Sequence, residues 1–174
     1  APAYRRAIAL DPRNAEAWHQ YAGTLGYLGQ DSASGAAYRR ALALEPERSI
    51  TWENLGWLSY LARRYAEAEQ LTDSGLAVDP QAYFLYGDRA QQALVRGDTA
   101  RARTAVAAAE RTRPADYAIQ TEPLVAALEA LAGDTVAARA RMERLVLQLA
   151  DADHPGYTEG SNVALGFVWI GDRA

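Results

Sequence analysis

The sequence predicts an all-α chain, a right-handed α-solenoid of antiparallel helix hairpins. Two observations carry that expectation. Prolines stand at Pro12, Pro46, Pro80 and Pro114, all on one 34-residue lattice, and a fixed period of this size marks stacked supersecondary units rather than one closed core. The composition agrees, with 49% hydrophobic residues, an excess of alanine and only seven prolines in 174 residues. Alanine costs almost no side-chain entropy in a helix and lets neighbouring backbones approach closely.

The elements follow from the lattice. AIALDPRN, ALALEPER and GLAVDPQA each read as the end of a helix stopped by its proline, because the residue before a proline is pushed out of the α region. Residues 1–14 therefore read as the second-helix remnant of a preceding repeat, and full repeats are expected at 15–48, 49–82 and 83–116. Counted from each start, position 4 is Trp18, Trp52 and Tyr86, and position 15, the turn, is Gly29, Arg63 and Gly97. Small residues at positions 8 and 20 (Ala22 with Ser34, Gly56 with Ala68, Ala90 with Ala102) let the two helices of a hairpin touch, where a bulky residue would overpack. Position 27 (Ala41, Gly75, Ala109) is small because the next first helix lies against it. A divergent fourth repeat is placed at 119–152, with Gly133 at its turn, Ala138 at the small position, Glu129 where an aromatic is expected, and Pro123 early in its first helix. After the DADHPG linker, 157–174 reads as the first helix of a truncated fifth repeat.

The segment WENLGWLSYLARRYAEAEQLTDSGLAVDP, Trp52 to Pro80, resembles the tetratricopeptide repeat (TPR), whose pattern is W-x2-L-G-x2-Y, then A-x3-F and a terminal proline. Ser59 and Thr72 stand where the family usually has aromatics. The resemblance spans nearly the whole chain. Such solenoids carry polar capping repeats at their ends; neither end here reads as one, so a segment of a larger protein and end-to-end self-association are both expected.

Little in the sequence points to catalysis. The net charge is −4 with both signs interspersed, so no extended basic field draws in nucleic acid. Arginine pairs recur on second helices (Arg5 with Arg6, Arg39 with Arg40, Arg101 with Arg103, Arg139 with Arg141) and read as a solvated face beside their acidic neighbours. All eighteen basic residues are arginine, which reads as the base-composition bias of a GC-rich bacterium. Without cysteine there is no disulfide, thiolate metal site or cysteine nucleophile. Cysteine absence suits the cytoplasm, which is favoured, and the periplasm alike. No apolar run is long enough to span a membrane and no stretch of these residues reads as a signal peptide, though one upstream of the repeat in which the chain begins is compatible with the pattern. The glycines of GTLGYLGQ lack the strand–turn–helix setting of a phosphate loop. Asp151, Asp153 and His154 form one metal-like cluster, but a solvated linker accounts for it. No metal, cofactor or enzymatic activity is expected.

What the resemblance implies is a concave groove lined by first helices at positions 2, 5, 6, 9, 12 and 13. These are Glu16, His19, Gln20, Gly23, Gly26 and Tyr27; then Ile50, Glu53, Asn54, Trp57, Tyr60 and Leu61; then Phe84, Gly87, Asp88, Gln91, Leu94 and Val95. Trp57 and Tyr60 share a helical face, while Trp52, Leu55 and Gly56 take the packing positions, so two large aromatics are left as candidate anchors. Asn54 stands where TPR grooves often hydrogen-bond a peptide backbone. The carboxylate clamp of chaperone-binding relatives is not matched: only Asn54 fits, and Glu53 with Asp88 would repel a C-terminal carboxylate. The expected partner-binding set is His19, Gln20, Tyr27, Glu53, Asn54, Trp57, Tyr60, Phe84, Asp88 and Gln91. The expected function is a non-catalytic scaffold that binds a neutral or basic peptide segment or an amphipathic helix. The alternative is a regulatory or sensor region of a larger bacterial signalling or transcription-regulating protein, with the groove occupied in cis. An enzyme ranks third.

Overall fold

The computed structural model describes residues 2–114 and 121–150, together with Phe167 and Gly171. The expected fifth first-helix and the Asp151, Asp153 and His154 cluster lie outside the described residues, apart from those two positions. Among the described residues there are nine helices and no strand: α1 Pro2–Leu10, α2 Ala15–Tyr27, α3 Asp31–Leu44, α4 Ser49–Leu61, α5 Tyr65–Val78, α6 Tyr83–Val95, α7 Thr99–Thr112, α8 Glu122–Leu131 and α9 Thr135–Ala150. The chain divides into two compact units, Ala1–Asp88 and Arg89–Ala174, with the boundary inside α6.

The first unit holds α1, the hairpins α2–α3 and α4–α5, and the start of α6. Asn14 caps α2, its side chain accepting from the Ala17 N–H at 2.8 Å, and so satisfies a helix-end donor that would otherwise lack a partner. Each hairpin turns through a left-handed residue, Gly29 at φ 69° and Arg63 at φ 58°. The turn is a Schellman motif: Gln30 N donates to Leu25 O and Gly29 N to Gly26 O, both at 2.9 Å, and Arg64 N with Ser59 O and Arg63 N with Tyr60 O repeat it at 2.9 Å. Where the helices cross, Ser34 Oγ donates to Ala22 O at 2.8 Å. In the next hairpin a Cβ on Gly56 would stand 3.7 Å from Ala68 O. A Cβ on Gly75 would stand 2.6 Å from Leu85 Cδ1 of α6 and 2.9 Å from Trp52 Cβ, so a side chain there would force its neighbours to shift.

The core of this unit gathers Ala22, Leu25, Ala37, Tyr38, Leu42 and Leu55, with Trp18 and Trp52 packed against it. The Trp rings are aimed by hydrogen bonds to the lattice prolines. Trp18 Nε1 donates to Pro12 O at 3.0 Å, Trp52 Nε1 to Pro46 O at 2.7 Å, and the Tyr86 hydroxyl to Pro80 O at 3.2 Å. The position-4 aromatic therefore does two jobs: it fills the core and holds the preceding loop.

The second unit repeats the same grammar. Asp98 caps α7 by accepting from Arg101 N at 2.9 Å, and Gly97 (φ 76°) and Gly133 (φ 92°) take the left-handed turns. One core cluster joins Ala90, Ala93, Ala102, Ala105, Val106, Leu124 and Leu128. A second joins Ala126, Ala138, Met142, Leu145 and Leu149, with Phe167 packed against it. Glu129, which stands where an aromatic was expected, has a specific use. Arg141 holds it through two bonds of 3.0 and 2.7 Å and reaches Glu122 at 2.5 Å. These charge-assisted bonds, that to Glu129 foremost, push the guanidinium pKa up. Of the arginine pairs read as a solvated face, Arg5, Arg6, Arg39, Arg40, Arg101, Arg103 and Arg139 are exposed, whereas Arg141 is drawn into this half-buried network.

Candidate functional site

The site residues of the first unit sit on α2, α4 and α6. Successive positions four and three apart along a helix point the same way, which aligns Glu53, Trp57 and Tyr60 on α4. Trp57 and Tyr60 stack at 5.4 Å between ring centroids with planes 17° apart, and Tyr65 of α5 meets Tyr60 edge-on at 5.6 Å. Trp57 and Tyr60 are both half-buried, so the pair forms a ledge with solvent access rather than a sealed core.

Other candidates are tied to their neighbours. His19 Nδ1 lies 2.9 Å from Thr51 Oγ1 of α4, and its ring meets Tyr38 edge-on at 5.5 Å. Burial, then the Arg48 charge, lowers the imidazole pKa, which keeps the ring neutral at physiological pH. Gln20 donates to Glu16 at 2.7 Å, and Glu16 pairs with Arg48. Asn54 Nδ2 donates to Ile50 O of its own helix at 2.9 Å, so one of its two N–H donors is engaged along α4. Phe84 packs against the Leu76, Ala82 and Leu85 cluster and meets Tyr83 edge-on at 5.4 Å. Tyr27 stands in solvent at 87% exposure. Gln91 belongs to the second unit and is buried there.

Glu53 and Asp88 behave differently from the rest. Among the described residues neither makes a hydrogen bond or an ion pair, and Asp88 Oδ2 is shut off from solvent without a partner. Burial pushes the Glu53 carboxyl up to about 7. Asp88 is pushed well above the usual carboxylate range, first by burial and then by the Glu53 charge. Tyr38 of α3 is raised to about 12 by burial and, next, by that same charge. Nothing in the sequence singles Tyr38 out as a neighbour of Glu53. Gly87, next to Asp88, sits inside α6 with no described atom beyond its own helix backbone and chain neighbours within 4 Å of where a Cβ would stand.

Among the described residues there is no group of three or more His, Cys, Asp or Glu placed to hold a metal ion, and no helix long and apolar enough to cross a membrane.

Paired helices crossing at small residues, a recurrent Schellman turn and a recurrent proline tie define a helical-hairpin repeat protein. The chain has the tetratricopeptide-repeat fold, and its residues 3–33 match the family model described as tetratricopeptide repeat. No curated protein matches the chain. Solved structures do. YrrB, a TPR protein with an unusual peptide-binding site, is similar with a TM-score of 0.66 at 16% identity, over 98% of this chain and 85% of that one. PilW, a widely conserved type IV pilus biogenesis factor, gives 0.72 at 20% identity over 98% and 76%. A thermophilic TPR protein of Thermus thermophilus gives 0.72 at 17% over 95% and 87%. At these identities the likeness is one of fold.

Proposed function

We propose that the chain is a non-catalytic scaffold that holds a peptide or helix against the first-helix face of its first unit, with 15–48, 49–82 and 83–116 as its three full repeats. The observation that carries this reading is the Trp57–Tyr60 ledge. Two large aromatics stack on each other yet keep solvent access, and aromatics of that kind are the usual anchors of protein interfaces. The carboxylates beside them turn away acidic segments and chain termini, which favours a neutral or basic segment or an amphipathic helix with basic residues at its edge. Nucleic acid and membrane surfaces fit poorly with this acidic face. The peptide-binding site of YrrB supports the use of the fold for this purpose.

The test is selection from a displayed random-peptide library with the wild type beside Trp57→Ala/Tyr60→Ala. The double variant must first show an unchanged thermal midpoint. Peptides enriched by the wild type and lost by the folded variant are expected. Selection of the same peptides by both proteins would move the binding surface elsewhere.

A further inference from the structure

Glu53 and Asp88 lack what carboxylates away from water ordinarily have. Desolvated carboxylates are normally paired or hydrogen-bonded, yet these two make neither kind of contact. Three arginines of this unit are committed to other acids: Arg48 to Glu16 and Glu45, and Arg39 and Arg64 to Glu67. A second, independent feature lies beside the pair. Gly87 occupies a helix interior, where glycine is less stable than alanine by roughly 0.5–1 kcal/mol, although a Cβ there would meet nothing. Among the described residues no neighbouring atom requires the glycine, and the space beside it is open.

We infer that Glu53 and Asp88 form a pocket for one arginine side chain of the bound peptide, its guanidinium lying between the two carboxylates and its stem passing over Gly87. The inference rests on the peptide-holding reading and names the residue that face selects. A guanidinium suits the place better than an ammonium. It is planar, it offers donors along two edges to two carboxylates, and it is more weakly hydrated, so entering a half-buried site costs it less. Trp57 stands one helical turn beyond Glu53 on the same face of α4, where a ring can receive a cation's flank. The raised carboxyl pKa values agree, since each group lacks the counter-charge that would bring it down.

The probe is a set of dye-labelled, acetylated and amidated hexapeptide pools, random except for a third residue fixed as arginine, lysine or glutamine. Binding to the intact chain is read by fluorescence polarisation at pH 8 and 150 mM salt. The arginine pool should bind the wild type at least about tenfold more tightly than the glutamine pool, with lysine between them. Glu53→Gln and Asp88→Asn should each bring the preference to within about threefold. Glu47→Gln, which removes an exposed carboxylate elsewhere, should leave it intact. Equal binding of arginine and glutamine pools by the wild type would overturn the pocket while the peptide-holding reading survives. Persistence of the preference in both carboxamide variants would also overturn it, by placing the cation elsewhere. Failure of every pool to bind would remove the peptide-holding reading and the pocket with it. Unchanged or raised thermal midpoints of the two variants separate lost recognition from lost folding.

Discussion

Replacing Glu53 by glutamine tests the site's electrostatics without any ligand. The carboxyl ionises at 4.5 in the unfolded chain and at about 7 in the folded one, through burial. Between those values the folded state keeps a proton that the unfolded state has released, so stability falls as pH rises across the window. Below about 4.5 the contribution is fully present, and above about 7 it has been lost. At about 1.4 kcal/mol per tenfold change in proton affinity, the whole interval is worth on the order of 3 kcal/mol. That is a large share of a typical stability of about 5–15 kcal/mol. Glutamine keeps the shape, carries no charge and breaks no existing bond, since Glu53 makes none. It also relieves Asp88 of a facing charge. Urea unfolding followed by tryptophan fluorescence at a series of pH values should show the two proteins converging near pH 4.5. The gap should open steadily and level off above about pH 7, with the variant about 1–3 kcal/mol more stable once solvent access to Glu53 is allowed for. A gap that stays constant from pH 4.5 to 8.5 would refute the account of a desolvated, unpaired carboxyl.

Three further expectations concern the hairpins. Arg63 takes a left-handed turn position that its equivalents fill with glycine; Arg63→Gly should raise stability by about 0.5–1 kcal/mol in the same urea assay, because the strain of a side chain there exceeds glycine's entropy cost. Gly75→Ala and Gly87→Ala should act in opposite directions. The first puts a methyl 2.6 Å from Leu85 Cδ1 and should cost about 1–3 kcal/mol through overpacking, while the second enters open space and should gain about 0.5–1 kcal/mol. Arg141→Met should cost about 1–3 kcal/mol by leaving Glu129 and Glu122 half-buried without their partner, and adding Glu129→Leu should recover much of that in a double-mutant cycle.

The helices were largely legible because they rest on local rules repeated at a fixed interval. A proline follows the second helices α3, α5 and α7, and a small residue marks each crossing. Glycine marks three of the four described hairpin turns, at 29, 97 and 133, and its left-handed backbone there is what the turn chemistry demands. Arg63 could be placed at a turn from the period alone, though its residue type argues against the conformation it adopts. The site was legible only to the level of which residues share a helical face. Spacing along α4 brings Trp57 and Tyr60 to one side, but whether they stack, and on what, depends on rotamers and on Tyr65 from another helix. Asn54 illustrates the gap: nothing in the sequence distinguishes an amide free for a ligand from one that bonds its own helix at Ile50. The mutual effect of Glu53 and Asp88 lies between residues 35 apart, and only the folded chain reveals that neither has found a counter-charge.

The proline ties bear on how a chain of this kind changes length. In each of the three, the acceptor carbonyl lies six residues before the aromatic donor, and the donors themselves stand 34 apart. Excise any stretch of 34 residues between Pro12 and Tyr86, or copy one in, and every surviving aromatic still finds a proline six places upstream. The splice point is therefore immaterial. As far as these ties go, the array can grow or shrink by whole repeats without a new junction having to be found.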